Sequence, residues 1–104
     1  MTSLIDLRTE FAPRAVDSDR LFLLSASDAL EFITRATNAG QELAGVEGFR
    51  ITEHGAFQPL QEFSTDSADV QCGKAEFVEL TNAVVQAGAA KNVYFEVVFE
   101  GEHA

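Results

Sequence analysis

The closing run NVYFEVVFE, residues 92–100, puts Val93, Phe95, Val97 and Phe99 on one side and Tyr94, Glu96, Val98 and Glu100 on the other. A period of two is the pattern of a half-buried strand, because successive side chains leave a strand on opposite faces. Two amphipathic segments are available to cover the apolar face. In the first, Ser25 or Ser27 offers an oxygen to the free amides of an opening helical turn, and Asp28 suits the positive end of the helix dipole. Ala29, Leu30, Ile33, Ala36 and Thr37 then recur at helical spacing, with Asp28, Glu31, Thr34, Arg35 and Asn38 opposite. Glu31 stands one helical turn before Arg35, the favourable ion-pair orientation, and Asn38-Ala39-Gly40 closes the helix near Gly40. The second segment runs from about Lys74 to Ala87. Phe77, Val78, Leu80, Thr81, Val84 and Val85 form its buried side, Glu76, Glu79, Asn82 and Gln86 the other, and Gly88 its stop.

The remaining elements are shorter. RLFLLS, residues 20–25, is an apolar run that fits a buried strand. GFRITEHGAFQPLQEF, residues 48–63, reads as two strands around a hairpin. Thr52-Glu53-His54-Gly55 offers a three-residue loop with glycine where φ must be positive, so the first strand ends near Ile51 and the second starts at Ala56. Pro59 has no N–H, and in a sheet it belongs on an outward-facing edge, at a strand start or at a bulge. There it blunts or bends the strand, or else leaves backbone for a partner and directs Gln58 and Gln61 outward. STDSADVQCG, residues 64–73, reads as an acidic loop. Residues 1–19 hold a possible short strand, Leu4 to Phe11, and form either an extra edge strand or a mobile arm beside a domain of residues 20–104.

The order strand, helix, strand, strand, helix, strand predicts an α+β domain: one sheet with two helices on one face, in the split βαβ arrangement of ferredoxin-like proteins. One conflict is built in. The usual ferredoxin-like order makes the Pro59 strand central, where a proline loses a ladder bond, so either that strand starts only at Leu60 or the strand order differs.

With 104 residues the chain has room for one domain, and 46% hydrophobic residues with nine phenylalanines supply a core. No apolar stretch approaches the roughly 20 residues that span a bilayer. The start MTSLIDLRTEFAPRAVDSDR lacks the basic beginning and apolar centre of a secretory signal, which points to the cytoplasm. A single cysteine, Cys72, forms no internal disulfide and agrees with a reducing compartment. The formal net charge is −10: residues 1–50 hold 8 acids and 5 bases, residues 51–104 hold 9 acids and 2 bases. Such a balance repels nucleic acid and anionic lipid and favours a basic partner, or serves solubility alone.

The motifs of common enzymes are missing. Two histidines, His54 in the hairpin loop and His103 next to the end, show no metal spacing, and no glycine-rich phosphate loop lies between a strand and a helix. Cys72 precedes a helix start, a place that can stabilise a thiolate, but no base partner accompanies it. Asp66 and Asp69 lack the spacing of a calcium loop. The sequence thus calls for no cofactor, metal or catalytic residue.

The run LLSASDALEFITRATNAGQELAGVEGFRITEHGAFQPLQEFST, together with NVYFEVVFE, resembles a group of small acidic bacterial proteins that are immunity-like, of the kind found in toxin–immunity pairs, or uncharacterised. The shared features are a strand, a capped DALEFI helix, a GVEGFRIT strand, a QP pair past the turn and a final YFEVV strand; the first 19 residues lie outside them. The resemblance implies a small cytoplasmic protein that sequesters a toxin, and it carries over no site residue. Charge agrees in direction, since carboxylates can stand in for substrate phosphates on a basic nuclease. The expected partner-binding surface is Glu62, Asp66, Asp69, Glu76 and Glu79, with Tyr94 and Phe57 as further anchors if exposed. The rival expectations are a homodimeric regulatory or small-ligand-binding module and a DNA-mimicking regulator; an enzyme ranks last.

Overall fold

The computed structural model describes residues 3–18 and 21–101. Leu4–Phe11 forms a helix, α1, where the sequence suggested a strand. Both periods fit these residues: alternation would bury Ile5, Leu7 and Phe11, whereas helical spacing groups Leu4, Leu7 and Phe11. Helix wins. Ser3 accepts the Asp6 amide at 3.1 Å as its N-cap, Leu7 and Phe11 are buried, and Ile5 is left 77% exposed. After a 3-10 turn at Ala12–Arg14 comes β1 (Val16–Ser18), so the described part of the N-terminal segment supplies the extra edge strand and is no loose arm.

The βαββαβ order expected for the rest is present: β2 (Leu21–Ser25), α2 (Ala26–Asn38), β3 (Leu43–Ile51), β4 (Phe57–Asp66), α3 (Lys74–Ala89) and β5 (Tyr94–Phe99). The fold is α+β with one antiparallel sheet in the order β1-β2-β5-β3-β4. That is not the ferredoxin-like order. The strand after the hairpin turn, β4, lies at the edge, and the last strand, β5, takes a central place between β2 and β3. The exposure of the strands explains the difference. β5 alternates half-buried and buried residues along its whole length, whereas no residue of β4 is fully buried and Pro59 is exposed.

Counting from the Thr52 amide bonded to the Ala56 carbonyl at 2.8 Å, hydrogen-bonded and non-hydrogen-bonded pairs alternate, which makes Phe49–Pro59 a non-hydrogen-bonded pair. The proline nitrogen thus faces away from β3, out of the sheet. It removes a donor only from the free edge, where a donor would invite another strand.

All three helices share one core with a single face of the sheet. Leu7 and Phe11 of α1, Ala29, Phe32, Ile33 and Ala36 of α2, and Phe77 and Val85 of α3 pack with Leu24, Val46, Phe95, Val97 and Phe99. Phe32, which the helical pattern read from the sequence left out, is its hub: its ring centroid lies 5.1 Å from Phe11, 6.2 Å from Phe22 and 5.8 Å from Phe99. Arg8 stacks over the rings of Phe22 and Phe32 and donates to the Val97 carbonyl at 3.0 Å, just past the last paired residue of β2 and β5. Leu80, expected inside, is 42% exposed. Gly88 does not stop α3; it is buried against β5, where an added Cβ would stand 2.6 Å from the Phe95 ring.

Ion pairs tie α1 to α2. Arg35 donates from both terminal nitrogens to the Glu10 carboxylate, the Nη2 bond measuring 2.9 Å, and lies 4.0 Å from Glu31 on its own helix. The hydrogen bonds from Arg35 hold the Glu10 carboxyl below its ordinary pKa. A carboxyl lowered in the folded state adds stability above its unfolded value, and that stability fades as pH falls through the lower folded value. Glu10→Gln is therefore expected to lose less stability than the parent between pH 7 and pH 3, by a small margin because the pair is exposed. Urea midpoints at the two pH values check this; equal losses would mean that the pair does not stabilise the fold.

Candidate functional site

The β3–β4 hairpin places most of the candidate residues. Its loop is the one expected: Gly55 has φ +77°, its amide bonds the Thr52 carbonyl at 2.9 Å, and His54 is exposed at the tip. Further along, the register shifts from Gly48 opposite Leu60 to Val46 opposite Thr65, so that Glu47 alone faces the stretch Gln61-Glu62-Phe63-Ser64. Side-chain hydroxyls take over the broken ladder. The Gly48 amide donates to Ser64 Oγ at 3.3 Å and the Val46 amide to Thr65 Oγ1 at 3.3 Å; Thr65 Oγ1 in turn lies 3.0 Å from Oγ1 of the fully buried Thr81 on α3.

This bulge decides where the carboxylates go. It carries Glu62 to a surface shared with Arg50 and Lys91. Asp66, past the bulge, caps the 3-10 turn Ser67–Asp69 by accepting the Ala68 amide at 2.9 Å. Asp66 and Asp69 line one depression together with Glu47, which the sequence reading did not include. Glu76 and Glu79 are exposed on α3, off the side that buries Phe77, Thr81 and Val85. β4 is longer than expected and ends at Asp66, so only the remainder of residues 64–73 is loop. The five carboxylates thus occupy β4, the turn after it and α3, but not one pocket.

Charge is segregated across the molecule. Arg14 lies 3.4 Å from Asp28 and 3.1 Å from Glu31, and Arg35 holds Glu10, so three carboxylates of the α1–α2 side are paired with two arginines. Among the described residues Glu47, Glu53, Glu62, Asp66, Asp69, Glu76 and Glu79 form no ion pair. No group of three histidine, cysteine or acidic side chains among the described residues is placed to hold a metal ion.

A cleft of about 620 Å³ opens between the end of α2, the start of β3 and the first turns of α3. Leu43, Val70, Phe77 and Val78 form apolar walls, Cys72 lies exposed at the lining, and Lys74 reaches Glu42 at 3.4 Å. Sequence reasoning missed this cleft, because its walls come from segments far apart in the chain.

No family model, curated protein or solved structure matches the chain. Among the described residues no helix is long and apolar enough to cross a membrane. His103 lies outside the described residues.

Proposed function

We propose that the chain is a non-enzymatic protein-binding domain of the cytoplasm whose partner is a basic protein, acting as an immunity protein that neutralises a toxin. The observation that carries the reading is the segregation of charge: arginines hold Glu10, Asp28 and Glu31 on the α1–α2 side, while the carboxylates of β4, the turn after it and α3 stand without an ion pair among the described residues. Such a one-sided field steers a basic partner to one half of the molecule and turns away nucleic acid. Glu62, Asp66, Asp69, Glu76 and Glu79 supply that field.

A second reading, a small-ligand-binding module, is favoured by the 620 Å³ cleft, whose volume falls within the usual range of ligand pockets. Self-association edge to edge through β4 is disfavoured by Pro59 and by the bulge at residues 61–64, both of which spoil the edge for a further strand.

Capture of tagged protein from its native lysate at low and high salt tests the first reading, with the variant carrying lysine at Glu62, Asp66, Asp69, Glu76 and Glu79 as control. The expected result is one basic protein, recovered at low salt, weakened by high salt and lost with the variant. A partner held equally well by the reversed variant counts against an electrostatic interface.

A further inference from the structure

The face of the sheet opposite the helices is not uniformly polar. Side chains in register across an antiparallel sheet share a face, so the pairs Phe49–Tyr94, Phe49–Pro59 and Ile51–Phe57 place five apolar or aromatic residues together on the side away from the core. Phe49 is 5% exposed yet does not belong to the helix-covered core, Tyr94 and Phe57 are half-buried, and Pro59 and Ile51 are exposed. Antiparallel sheets with one solvated face ordinarily carry polar residues there. Over the buried Phe49, the exposed Pro59 and Ile51 with the half-buried Phe57 and Tyr94 form the open part of this patch, and an apolar patch in that place marks an interaction surface.

Carboxylates flank the patch. Glu47, exposed, follows in the next row of the same face, in register with Glu96 on β5, and Glu53 lies in the hairpin turn at the other end. These charges choose the occupant. A second copy, itself at net −10, would bring its own exposed Glu47 and Glu53 against the same carboxylates. A basic protein that offers an apolar side chain between lysines or arginines matches both the patch and its ends. Strand addition at β4 is closed by Pro59, which leaves the face as the way to dock on the hairpin.

We infer that the basic partner docks on this face, with an apolar side chain against Pro59, Ile51 and Phe57 and a cationic one at Glu47. This inference rests on the proposed function and specifies its contact surface: Asp66 and Asp69, which line one depression with Glu47 and Pro59, attract, and the hairpin face holds. Aromatic anchors on a rigid sheet lose little conformational entropy on binding, which suits them to that part.

The test is an NMR titration of the isotope-labelled full chain with two synthetic probes of equal charge, a peptide of alternating lysine and tryptophan and an oligolysine. The inference expects saturable shifts at residues 47–59 and 94 with the lysine–tryptophan peptide, at least tenfold tighter binding than oligolysine, and a tenfold loss in the double variant Glu47→Lys, Ile51→Glu. Both substituted positions are exposed, so the variant is expected to keep the parent spectrum elsewhere. Shifts confined to Asp66, Asp69, Glu76 and Glu79, equal for both probes, overturn the docking face and leave the proposed function standing. Binding of neither probe overturns both. Concentration-dependent shifts of the face in the free protein would replace the basic partner with a second copy and so overturn the inference as well.

Discussion

Replacing Phe32 with alanine is expected to cost about 3–5 kcal/mol of folding stability, the range for removing a buried phenylalanine. The urea midpoint should fall sharply without a large change in m-value, and Tm by roughly 15 °C or more for a chain of this size. Phe32 is fully buried and its ring meets Phe11 from α1, Phe22 from β2 and Phe99 from β5. The space it leaves is bounded by three separate elements, none of which can move in without giving up contacts elsewhere, so the cavity stays largely open. Arg8 also loses one of the two rings it stacks on. Leu80→Ala is the control. Leu80 is a similarly apolar residue that the helical pattern assigned to the core, but at 42% exposure its truncation should change stability by less than about 1 kcal/mol. Comparable losses for the two variants would contradict the packing of Phe32 among Phe11, Phe22 and Phe99.

The difference between these two residues shows what the sequence discloses. Elements governed by neighbouring residues are legible: the Ser25 cap, whose Oγ accepts the Asp28 amide at 3.4 Å, the Gly55 turn and the alternation of β5 all follow from local chemistry. Leu4–Phe11 is too short for its period to choose between helix and strand, and its state is settled by the contact of Phe11 with Phe32. Strand order is non-local as well, but Pro59 carried a trace of it, because a residue without an N–H cannot sit comfortably in a central strand. For the candidate site the acidic character of the second half was readable from charge alone. The grouping was not. Nothing in Gln61-Glu62-Phe63-Ser64 announces a bulge, and that bulge separates Glu62 from Asp66 and brings Glu47 beside Asp66 and Asp69.

Gly45→Ala is expected to be the most damaging small substitution on the acidic side, costing about 3 kcal/mol or more and loosening the end of the β3–β4 pair. A Cβ at Gly45 would stand 2.0 Å from the Thr65 carbonyl oxygen, 2.9 Å from its carbon and 3.2 Å from Asp66 Cα. All three are backbone atoms, so no rotamer change makes room, and the residue's φ of +156° is one that side-chain-bearing residues rarely adopt. The only relief is for β4 to move off β3, where Asp66 is the partner of Gly45 and Thr65 the partner of Val46. That movement pulls Thr65 Oγ1 from the Val46 amide and from Thr81, and shifts the Asp66 cap of the following turn. Gly55→Ala provides the comparison: its φ is also positive but open space surrounds it, so the cost should stay near the 1–2 kcal/mol of a strained backbone alone. Hydrogen exchange separates the two effects. Gly45→Ala should speed exchange at Val46 and Ala68 while leaving the hairpin-tip amides of Gly55 and Ala56 unchanged, and Gly55→Ala should do the reverse. If Gly45→Ala melts no lower than Gly55→Ala, the close approach of β3 to Thr65 is not what anchors Asp66 and Asp69, and their placement beside Glu47 must come from the packing of Thr81 alone.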